Sequence, residues 1–204
     1  MKKIICYGDS NTFGYNPKDN SQFDEKTRWT SILQKNLGLE YEVINEGMCD
    51  RTGFVTNPKG FLFSAQKHFP KLISKSENIY LLIIWLGTND LQFQYDITLG
   101  TVEKGLEKLI NIAQEKTKNI IIIPPVILND KVLEGFFNNQ FDSVSVVKSS
   151  KVGRIFRTLA NIYHCAYFDI NKITKPSDID GLHYDASSHK IIAEKLEAFI
   201  RQNF

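Results

Sequence analysis

Four short segments of the 204-residue chain carry groups that could take part in chemistry, and each follows a short apolar run. One segment contributes a hydroxyl, one a glycine, one a carboxamide, and the last an aspartate and a histidine three residues apart. These groups match what acyl transfer requires: a nucleophile, a base, a residue that orients the base, and donors for an oxyanion. The segments are residues 8–12 (GDSNT), 45–48 (NEGM), 87–90 (GTND) and 178–183 (DIDGLH).

Every one of these groups also has an ordinary structural explanation. Ser10 could cap the following helix, and Gly47 could be a turn glycine. Asn89 fits turn chemistry, Asp180 could bond to its own backbone, and His183 could lie on the surface. None of these explanations predicts that all five groups follow the strands of one sheet at the same edge. The coincidence therefore favours a shared site over five unrelated roles.

The elements that must position these groups alternate between strand and helix. Short apolar runs predict five strands, at residues 3–7, 41–45, 79–86, 119–123 and 165–168. The run at 79–86 is the most apolar and predicts a central strand that is buried on both faces. Apolar residues at helical spacing predict helices at residues 29–37, 64–74, 99–113, 146–161 and 192–200. A loop rich in Gly, Asn and Pro covers residues 46–63.

Strands that alternate with helices predict an α/β fold with a parallel sheet and right-handed crossovers. In such a sheet functional groups gather at the carboxyl ends of the strands, which places the four segments at one edge. No linker, repeat or low-complexity tract divides the chain, so residues 1–204 are predicted to form one domain.

Composition argues against several classes of function. The formal net charge is only +2 and the lysines are scattered among glutamates, so no nucleic-acid or membrane partner is predicted. The cysteines show neither a CxxC pair nor zinc spacing, which predicts no disulfide framework and no metal site. The first apolar run is too short for a secretory signal, so the expected location is the cytoplasm. The three cysteines are Cys6, Cys49 and Cys165.

Motifs that mark other enzymes are absent from the sequence. There is no GxSxG, HExxH or GxGxxG. Gly100 and Gly105 have the spacing of a phosphate-binding loop, but Leu106 stands where that loop needs its lysine. Only His183 pairs with a carboxylate in a predicted strand-end loop. The other three histidines are predicted to be structural or solvent-facing: His68, His164 and His189.

Taken in order, the four segments resemble the sequence blocks of the SGNH (GDSL-type) hydrolases, and they span nearly the whole chain. The blocks appear as Gly8-Asp9-Ser10, Gly47, Gly87-Thr88-Asn89-Asp90 and Asp180-Gly181-Leu182-His183. Further short motifs resemble the bacterial arylesterase and perhydrolase branch: Arg28-Trp29, Glu46-Gly47 followed by Arg51-Thr52, and Pro124-Pro125. Asn11 departs from the family pattern, in which apolar residues frequently follow the nucleophile, and it is expected to alter the rim of the acyl pocket.

The resemblance implies a three-layer α/β/α sandwich whose five parallel strands have the order 2-1-3-4-5. It implies Ser10 as nucleophile, His183 as general base and acid, and Asp180 as the residue that orients the histidine. It also implies an oxyanion hole made by the backbone N–H groups of Ser10 and Gly47 and the side-chain amide of Asn89. These roles agree with what serine nucleophiles and tetrahedral intermediates require. No cofactor is expected.

The predicted substrate is a small carboxylic ester, short-chain or aryl, which Ser10 converts into an acyl-enzyme. The predicted pocket contacts are Asn11, Phe54, Phe93 and Tyr184. The two phenylalanines and the tyrosine belong to a larger group of loop aromatics, any of which could line an apolar pocket or simply pack the loops: Phe13, Tyr15, Phe54, Phe61, Phe63, Phe93, Phe136, Phe137 and Tyr184.

Three alternatives and two questions stay open at the level of sequence. A carbohydrate O-acetyl esterase, or an acyltransferase or perhydrolase, would use the same triad. A flavodoxin-like phosphate or nucleotide binding module is a more distant alternative, and it leaves Asp180 and His183 unexplained. The branch resemblance suggests a homo-oligomer. The segment 129–145 is either a loop over the pocket or a contact surface.

Overall fold

The computed structural model describes residues 1–204, and its centre is a sheet of five parallel strands. Their spatial order is β2-β1-β3-β4-β5, which confirms the order that the resemblance implied. All five predicted strands are present, with ends displaced by at most two residues. The strands are β1 (Lys2–Gly8), β2 (Tyr41–Gly47), β3 (Ile79–Trp85), β4 (Ile120–Ile123) and β5 (Ala166–Tyr167).

Six α-helices connect or follow the strands, and five of them were predicted. The helix predicted at 146–161 begins earlier because Asp142 forms a capping box with Ser145, in which each side chain bonds to the other residue's backbone N–H. The helices are α1 (Ser10–Phe13), α2 (Trp29–Leu37), α3 (Ala65–Lys75), α4 (Leu99–Gln114), α5 (Ser143–Tyr163) and α6 (Ala186–Asn203).

The helices form two layers, one on each face of the sheet. The chain moves from β1 outward to β2 and then back through β3, β4 and β5, so right-handed crossovers put α2 on one face and α3, α4 and α5 on the other. The contacts agree, because α2 packs against α6 while α4 packs against both α3 and α5. The result is the predicted α/β/α sandwich.

The central strands carry most of the core. Almost every residue of β1 and β3 is buried, whereas most of β2 is only half-buried because it lies at the edge of the sheet. Each fully buried apolar side chain contributes about 2 kcal/mol through the hydrophobic effect. A core of 46 such residues therefore holds the strands in place, and it thereby positions the loops that follow the strand ends.

The start of α1 packs closely against the end of β2. A Cβ atom at Gly47 would lie 2.1 Å from the backbone nitrogen of Phe13, so only glycine permits this approach. The Asp9 carboxylate accepts the N–H of Asn11 at 3.0 Å and caps the helix. Ser10, the first residue of α1, is thereby held between β1 and β2 at the carboxyl edge of the sheet.

Candidate active site

Three side chains from opposite ends of the chain form a continuous hydrogen-bonded row at this edge. Ser10 Oγ lies 2.9 Å from His183 Nε2, and His183 Nδ1 lies 2.7 Å from Asp180 Oδ2. All three residues are buried, with exposed fractions of 6%, 2% and 6% in the order Ser10, His183, Asp180. The two carboxyl-edge segments that the sequence analysis paired, separated by 173 residues, thus meet with the geometry of a nucleophile, a base and its orienting carboxylate.

The loop that carries Asp180 fixes the carboxylate before it reaches the imidazole. Asp180 Oδ1 accepts the backbone N–H groups of Leu182 at 3.0 Å and His183 at 2.9 Å, which leaves Oδ2 for the histidine ring. Between them, Gly181 has φ +69°, and a Cβ there would meet Asn129 Oδ1 at 2.4 Å. One short loop can therefore deliver both the acid and the base.

The charge on Asp180 is stabilised by the same contacts. Burial alone would raise the pKa of Asp180, but the hydrogen bond and charge of His183, together with the backbone N–H groups, hold that pKa below its ordinary value. The carboxylate is therefore ionised at neutral pH. An ionised partner on Nδ1 keeps the proton there and leaves Nε2 as the acceptor that faces Ser10.

Two of the three predicted oxyanion donors face the space beside Ser10. The backbone N–H of Ser10 has no acceptor in the protein, since it belongs to the first turn of α1, whose N–H groups have no partner within the helix. The Asn89 side chain is held at both ends, because Nδ2 donates to Arg51 O at 3.1 Å and Oδ1 accepts from Gln92 Nε2 at 3.3 Å. The side-chain amide nitrogen of an asparagine carries two hydrogens, so one N–H of Asn89 remains for a ligand.

The third predicted donor, Gly47, is placed differently. Its backbone N–H donates to Asn45 Oδ1 at 2.8 Å, and the residue does not line the cavity beside Ser10. The structure therefore gives Gly47 a packing role against α1 and commits its amide to Asn45. In the following turn, Cys49 and Asp50 do line the cavity, and their backbone N–H groups have no acceptor in the protein. Asp50 also has φ +62°, a sparsely populated conformation for a residue with a side chain.

Two buried charged residues hold this turn against the strand ends. The Arg51 guanidinium donates to the carbonyl oxygens of Gly8 and Glu46, and its carbon lies 4.4 Å from the centre of the Tyr7 ring. Asp90 accepts three consecutive backbone N–H groups, those of residues 53–55, at 2.6 to 3.0 Å. Burial raises the pKa of Asp90 to about 6, against the effect of these hydrogen bonds. The third sequence block thus supplies both a donor, Asn89, and an anchor for the opposite loop.

Ser10 and His183 open onto a cavity of about 290 Å³ that is lined by both aromatic and polar residues. The aromatic residues are Tyr15, Phe136 and Phe137. The remaining lining residues are Cys49, Asp50, Lys59, Asn89, Gln140 and Leu182. Lys59 Nζ and Asp50 Oδ2 lie 2.7 Å apart and are both partly exposed.

The aromatic residues that the sequence analysis chose as pocket contacts do not lie at this cavity. Phe54 is buried against Phe156, with ring centres 6.0 Å apart. Tyr184 is fully buried against Trp85 in the core. Phe93 is half exposed, and only its backbone approaches the pocket loop through a bond to Gln140 O.

Asn11, the fourth predicted contact, is also placed away from the pocket rim. Its side chain is buried, with Nδ2 3.4 Å from Leu182 O and Oδ1 3.4 Å from the N–H of Tyr184. It joins the nucleophile segment to the histidine loop. A polar residue after the nucleophile is therefore explained by a buried contact that an apolar side chain could not make.

The residues that do line the cavity were only partly visible in the sequence. Tyr15, Phe136 and Phe137 belong to the group of loop aromatics, but no periodicity distinguishes them from the aromatics that pack inward. Lys59 and Gln140 have no sequence signal at all, because they reach the cavity only through the paths of two irregular loops. The segment 129–145 contributes three of these residues, which favours its interpretation as a loop over the pocket.

Other parts of the molecule offer no comparable convergence of groups. A larger cavity of about 970 Å³ lies beside α2 and α6, and most of its lining residues are polar or charged surface residues. No cluster of three or more histidine, cysteine, aspartate or glutamate side chains is arranged to hold a metal ion. None of the helices combines the length and the apolar character that a membrane span needs.

Comparisons with known proteins agree with the fold and the blocks. Residues 6–191 match the model of the GDSL-like lipase/acylhydrolase family. A Sinorhizobium meliloti structure described as a carbohydrate acetylesterase family member is 28% identical, with a TM-score of 0.87 over 99% of this chain and 98% of that chain. No curated protein sequence matches the chain significantly.

Two further structures share the architecture at lower identity. The native aryl esterase of M. smegmatis has a TM-score of 0.90 at 22% identity, covering all of both chains. A lipase/acylhydrolase from Enterococcus faecalis has a TM-score of 0.68 at 19% identity, covering 99% of this chain and 96% of that chain. At these identities the likeness establishes the fold. The family match, which covers most of the chain and all four blocks, shows that the chain belongs to the GDSL-like lipase/acylhydrolase family and is a carboxylic ester hydrolase.

Proposed function

We propose that this protein hydrolyses small carboxylic esters through an acyl-enzyme on Ser10, with His183 as base and acid and Asp180 as its orienting carboxylate. The observation that carries this proposal is the row Ser10 Oγ, His183 Nε2, His183 Nδ1 and Asp180 Oδ2, with separations of 2.9 and 2.7 Å. A serine hydroxyl is a weak nucleophile until a neighbouring base takes its proton, and this geometry provides that base.

In the first half of the reaction Ser10 Oγ attacks the ester carbonyl carbon while His183 Nε2 accepts the hydroxyl proton. The carbonyl oxygen becomes an oxyanion, and the imidazolium that forms is stabilised by the Asp180 carboxylate. His183 then donates the proton to the leaving alkoxide oxygen, so that an alcohol departs and the acyl group stays on Ser10. In the second half, a water molecule takes the place of the alcohol and the same proton transfers release the acid.

The oxyanion needs donors that are already oriented when the charge develops. We assign this role to the backbone N–H of Ser10, one N–H of the Asn89 side chain, and the backbone N–H groups of the turn at Cys49 and Asp50. These groups line the cavity and have hydrogens without a protein acceptor. Gly47 is not assigned a donor role, because Asn45 already accepts its N–H.

The size of the cavity supports a small substrate. Its volume of about 290 Å³ lies at the lower end of the range for ligand pockets and leaves little space for a long acyl chain. We therefore propose short-chain or aryl esters as substrates. Activity toward the p-nitrophenyl esters is expected to fall in the order acetate, butyrate, octanoate, palmitate. A maximum at octanoate or palmitate would contradict the small pocket.

A carbohydrate O-acetyl ester is a second candidate substrate, and the polar residues that line the cavity favour it. Sugars present hydroxyl groups at their edges and C–H groups on their faces. The aromatic rings of the cavity can contact the C–H groups, and Lys59, Asp50 and Gln140 can bond to the hydroxyl groups. The 28% identical carbohydrate acetylesterase family member points the same way. Comparing kcat/KM for acetylated xylose and phenyl acetate decides between the two substrate classes.

Covalent labelling tests the acyl-enzyme itself. The purified wild-type protein should react with a fluorophosphonate, and peptide mass spectrometry should place the adduct on Ser10. Ser10→Ala should abolish labelling and lower kcat by about four to six orders of magnitude. Ser21→Ala is the matched control, since Ser21 is an exposed loop serine and should leave both unchanged. An adduct on another residue, or a Ser10→Ala protein with most of its activity, would refute the proposal.

A further inference from the structure

Two aromatic rings flank the imidazole of His183, and the triad chemistry alone does not require either of them. The centre of the Tyr15 ring lies 4.1 Å from the centre of the His183 ring, with the planes inclined by 35°. The centre of the Phe137 ring lies 5.4 Å away, inclined by 57°. The two aromatic rings also touch each other, at 6.4 Å between centres. His183 is consequently enclosed by rings as well as by its hydrogen-bond partners.

Tyr15 is held in this position by its own loop. Its backbone N–H donates to Ser10 O at 3.0 Å, which places the residue directly after the nucleophile turn. Its hydroxyl donates to Asn20 Oδ1 at 2.5 Å, so the polar end of the side chain is turned away from the imidazole. A bridge between Tyr15 and Gln22 closes the loop. The aromatic ring of Tyr15 therefore contacts the His183 imidazole, while its hydroxyl bonds to Asn20 within its own loop.

A ring in this place distinguishes between the two protonation states of the histidine. The face of an aromatic ring carries negative charge density, which attracts a cation whose centre lies within about 6 Å of the ring centre. In the proposed reaction His183 becomes an imidazolium as Ser10 attacks. Because the site is buried, little solvent competes with the attraction. The contact consequently strengthens during the reaction, which is the condition for lowering a barrier.

We propose that Tyr15, assisted by Phe137, is a positioning residue that stabilises the imidazolium of His183 in the transition state through the face of its ring. This inference rests on the proposed function, since it requires His183 to gain a proton from Ser10. Its effect is on kcat and on the pH dependence of the reaction. Substrate affinity should respond less.

Other titratable groups face His183 and act on its charge, so the test must separate them from Tyr15. Asp180 favours the imidazolium, Asp50 and Lys59 offset each other as an ion pair, and His189 is held neutral by burial. Burial also raises the pKa of the Tyr15 hydroxyl, so the phenol stays neutral throughout the acid range. The groups that stay constant in the experiment are Asp180, Cys49, Asp50, Lys59 and His189.

The first experiment compares Tyr15→Leu with Tyr15→Phe in p-nitrophenyl acetate hydrolysis. Tyr15→Leu removes the ring and should lower kcat about tenfold, with a smaller change in KM. The acid limb of kcat/KM should move to lower pH by about half a unit or more, because the imidazolium of the free enzyme is destabilised too. Tyr15→Phe keeps the ring and should rescue most of the kcat lost in Tyr15→Leu. Tyr163→Leu, a tyrosine at the end of α5, controls for general loss of packing.

The second experiment holds the size of the ring nearly constant. Phenylalanine with one, two or three ring fluorines is incorporated in place of Tyr15, which withdraws charge from the ring face in steps. The inference requires kcat to fall, and the acid limb to move to lower pH, with each added fluorine. Values of kcat that do not change along the series, or an effect confined to KM, would overturn it.

The two proposals fail in different ways. If the wild-type protein were not labelled at Ser10 by the fluorophosphonate, the proposed function would fail and Tyr15 would have no imidazolium to stabilise. If labelling and Ser10-dependent hydrolysis were present but the fluorinated series were flat, only the role of Tyr15 would be wrong.

Discussion

Two buried histidines, six residues apart in the sequence, have opposite surroundings. His183 bonds to a carboxylate through Nδ1 and to the Ser10 hydroxyl through Nε2, and it borders a cavity. His189, in the first turn of α6, accepts the backbone N–H of Trp29 at Nδ1, and its Nε2 has no partner. The edge of the Phe23 ring covers it. Burial lowers the pKa of His189 to about 3, so this ring stays neutral and unreactive.

Burial by itself does not make a histidine a base. Removing an imidazole from water disfavours its charged form, and at His189 this effect of burial outweighs the opposing charge of Asp185. At His183 the Asp180 carboxylate accepts the Nδ1 proton, and the Ser10 hydroxyl supplies a proton that Nε2 can accept. A base therefore needs an acceptor for its own proton on one side and a donor on the other. His183 has both, whereas His189 has only the backbone N–H of Trp29, a donor that keeps its proton, and no acceptor at Nε2.

The largest expected effect is obtained by making the same substitution at both positions. His183→Asn should lower kcat for p-nitrophenyl acetate by about four to six orders of magnitude, because the base is removed. His189→Asn should leave kcat within a few-fold of wild type, since the Asn carbonyl can replace Nδ1 as the acceptor for Trp29. Steady-state kinetics on both proteins provide the comparison. Equal losses of kcat in the two variants would contradict the proposed role of His183 as the base.

The next effect tests the carboxylate that distinguishes the two sites. Asp180→Asn should lower kcat about ten-thousandfold, because an amide N–H facing Nδ1 favours the wrong tautomer of His183. The fold should be retained, since the Asn oxygen can still accept the backbone N–H groups of the loop. Asp185→Asn, at the cap of α6, is the matched control and should keep its activity. Far-ultraviolet circular dichroism verifies that both proteins fold.

The next expected effect is on the free energy of unfolding, which should depend on pH through His189. Since the folded pKa of about 3 lies below the ordinary value of 6.5, the unfolded chain takes up the proton first as pH falls. His189 therefore leaves stability intact above pH 6.5 and lowers it progressively toward pH 3. Between pH 7 and pH 4 the loss should be on the order of 3 kcal/mol. Because Asp90, with its raised pKa of about 6, acts in the opposite direction in this pH range, the loss is measured as the difference between wild type and His189→Asn in urea unfolding at both pH values.

His189→Asn cannot take up that proton and should remove most of this acid-induced loss. Asp180 also destabilises the fold on acidification, since its lowered pKa means that it contributes stability which disappears as it is protonated. Asp180 lowers the free energy of unfolding only at pH values below 3.8, the pKa of an aspartate in the unfolded chain. His189 acts at higher pH, so the two residues act in different parts of the pH range. An unchanged pH dependence in His189→Asn would show that His189 does not titrate as its burial requires.

The smallest of these effects on kcat is expected from Asn89, which lines the cavity next to Ser10. Asn89→Ala should lower kcat about a hundredfold, as the loss of one oxyanion donor does, with little change in KM. Asn171→Ala is the matched control, because Asn171 also bonds to backbone groups but lies away from the cavity. An unchanged kcat in Asn89→Ala would remove this amide from the oxyanion hole.

The fold was largely predictable because its signals are local. The apolar runs located all five strands, and the alternation with helices determined the class and the parallel arrangement. The order of the strands came from the family resemblance, since periodicity carries no information on neighbours. The start of α5 was misplaced by three residues, because the capping box at Asp142 lies outside the apolar pattern that defined the helix.

The site was predictable only where a group follows a strand directly. Ser10 and Asn89 lie two and four residues beyond their strands, so the topology of the sheet almost fixes their positions. The pocket contacts Phe54 and Tyr184 were chosen for their type and place in the loops, yet both are buried elsewhere. An aromatic side chain gains free energy by burial in any apolar environment, so its type does not reveal which side of a loop it will occupy.

The sequence by itself determined the reacting groups and the edge of the sheet at which they meet, because strand ends and short-range loop geometry are encoded within a few residues. Tertiary packing determines that His183, and not His189, meets both a serine and a carboxylate, that the amide of Gly47 is already bonded to Asn45, and that Tyr15 and Phe137 flank the imidazole. These features depend on how irregular loops from distant parts of the chain are positioned in the folded protein. That is set by the packing of the whole molecule, which no single segment contains.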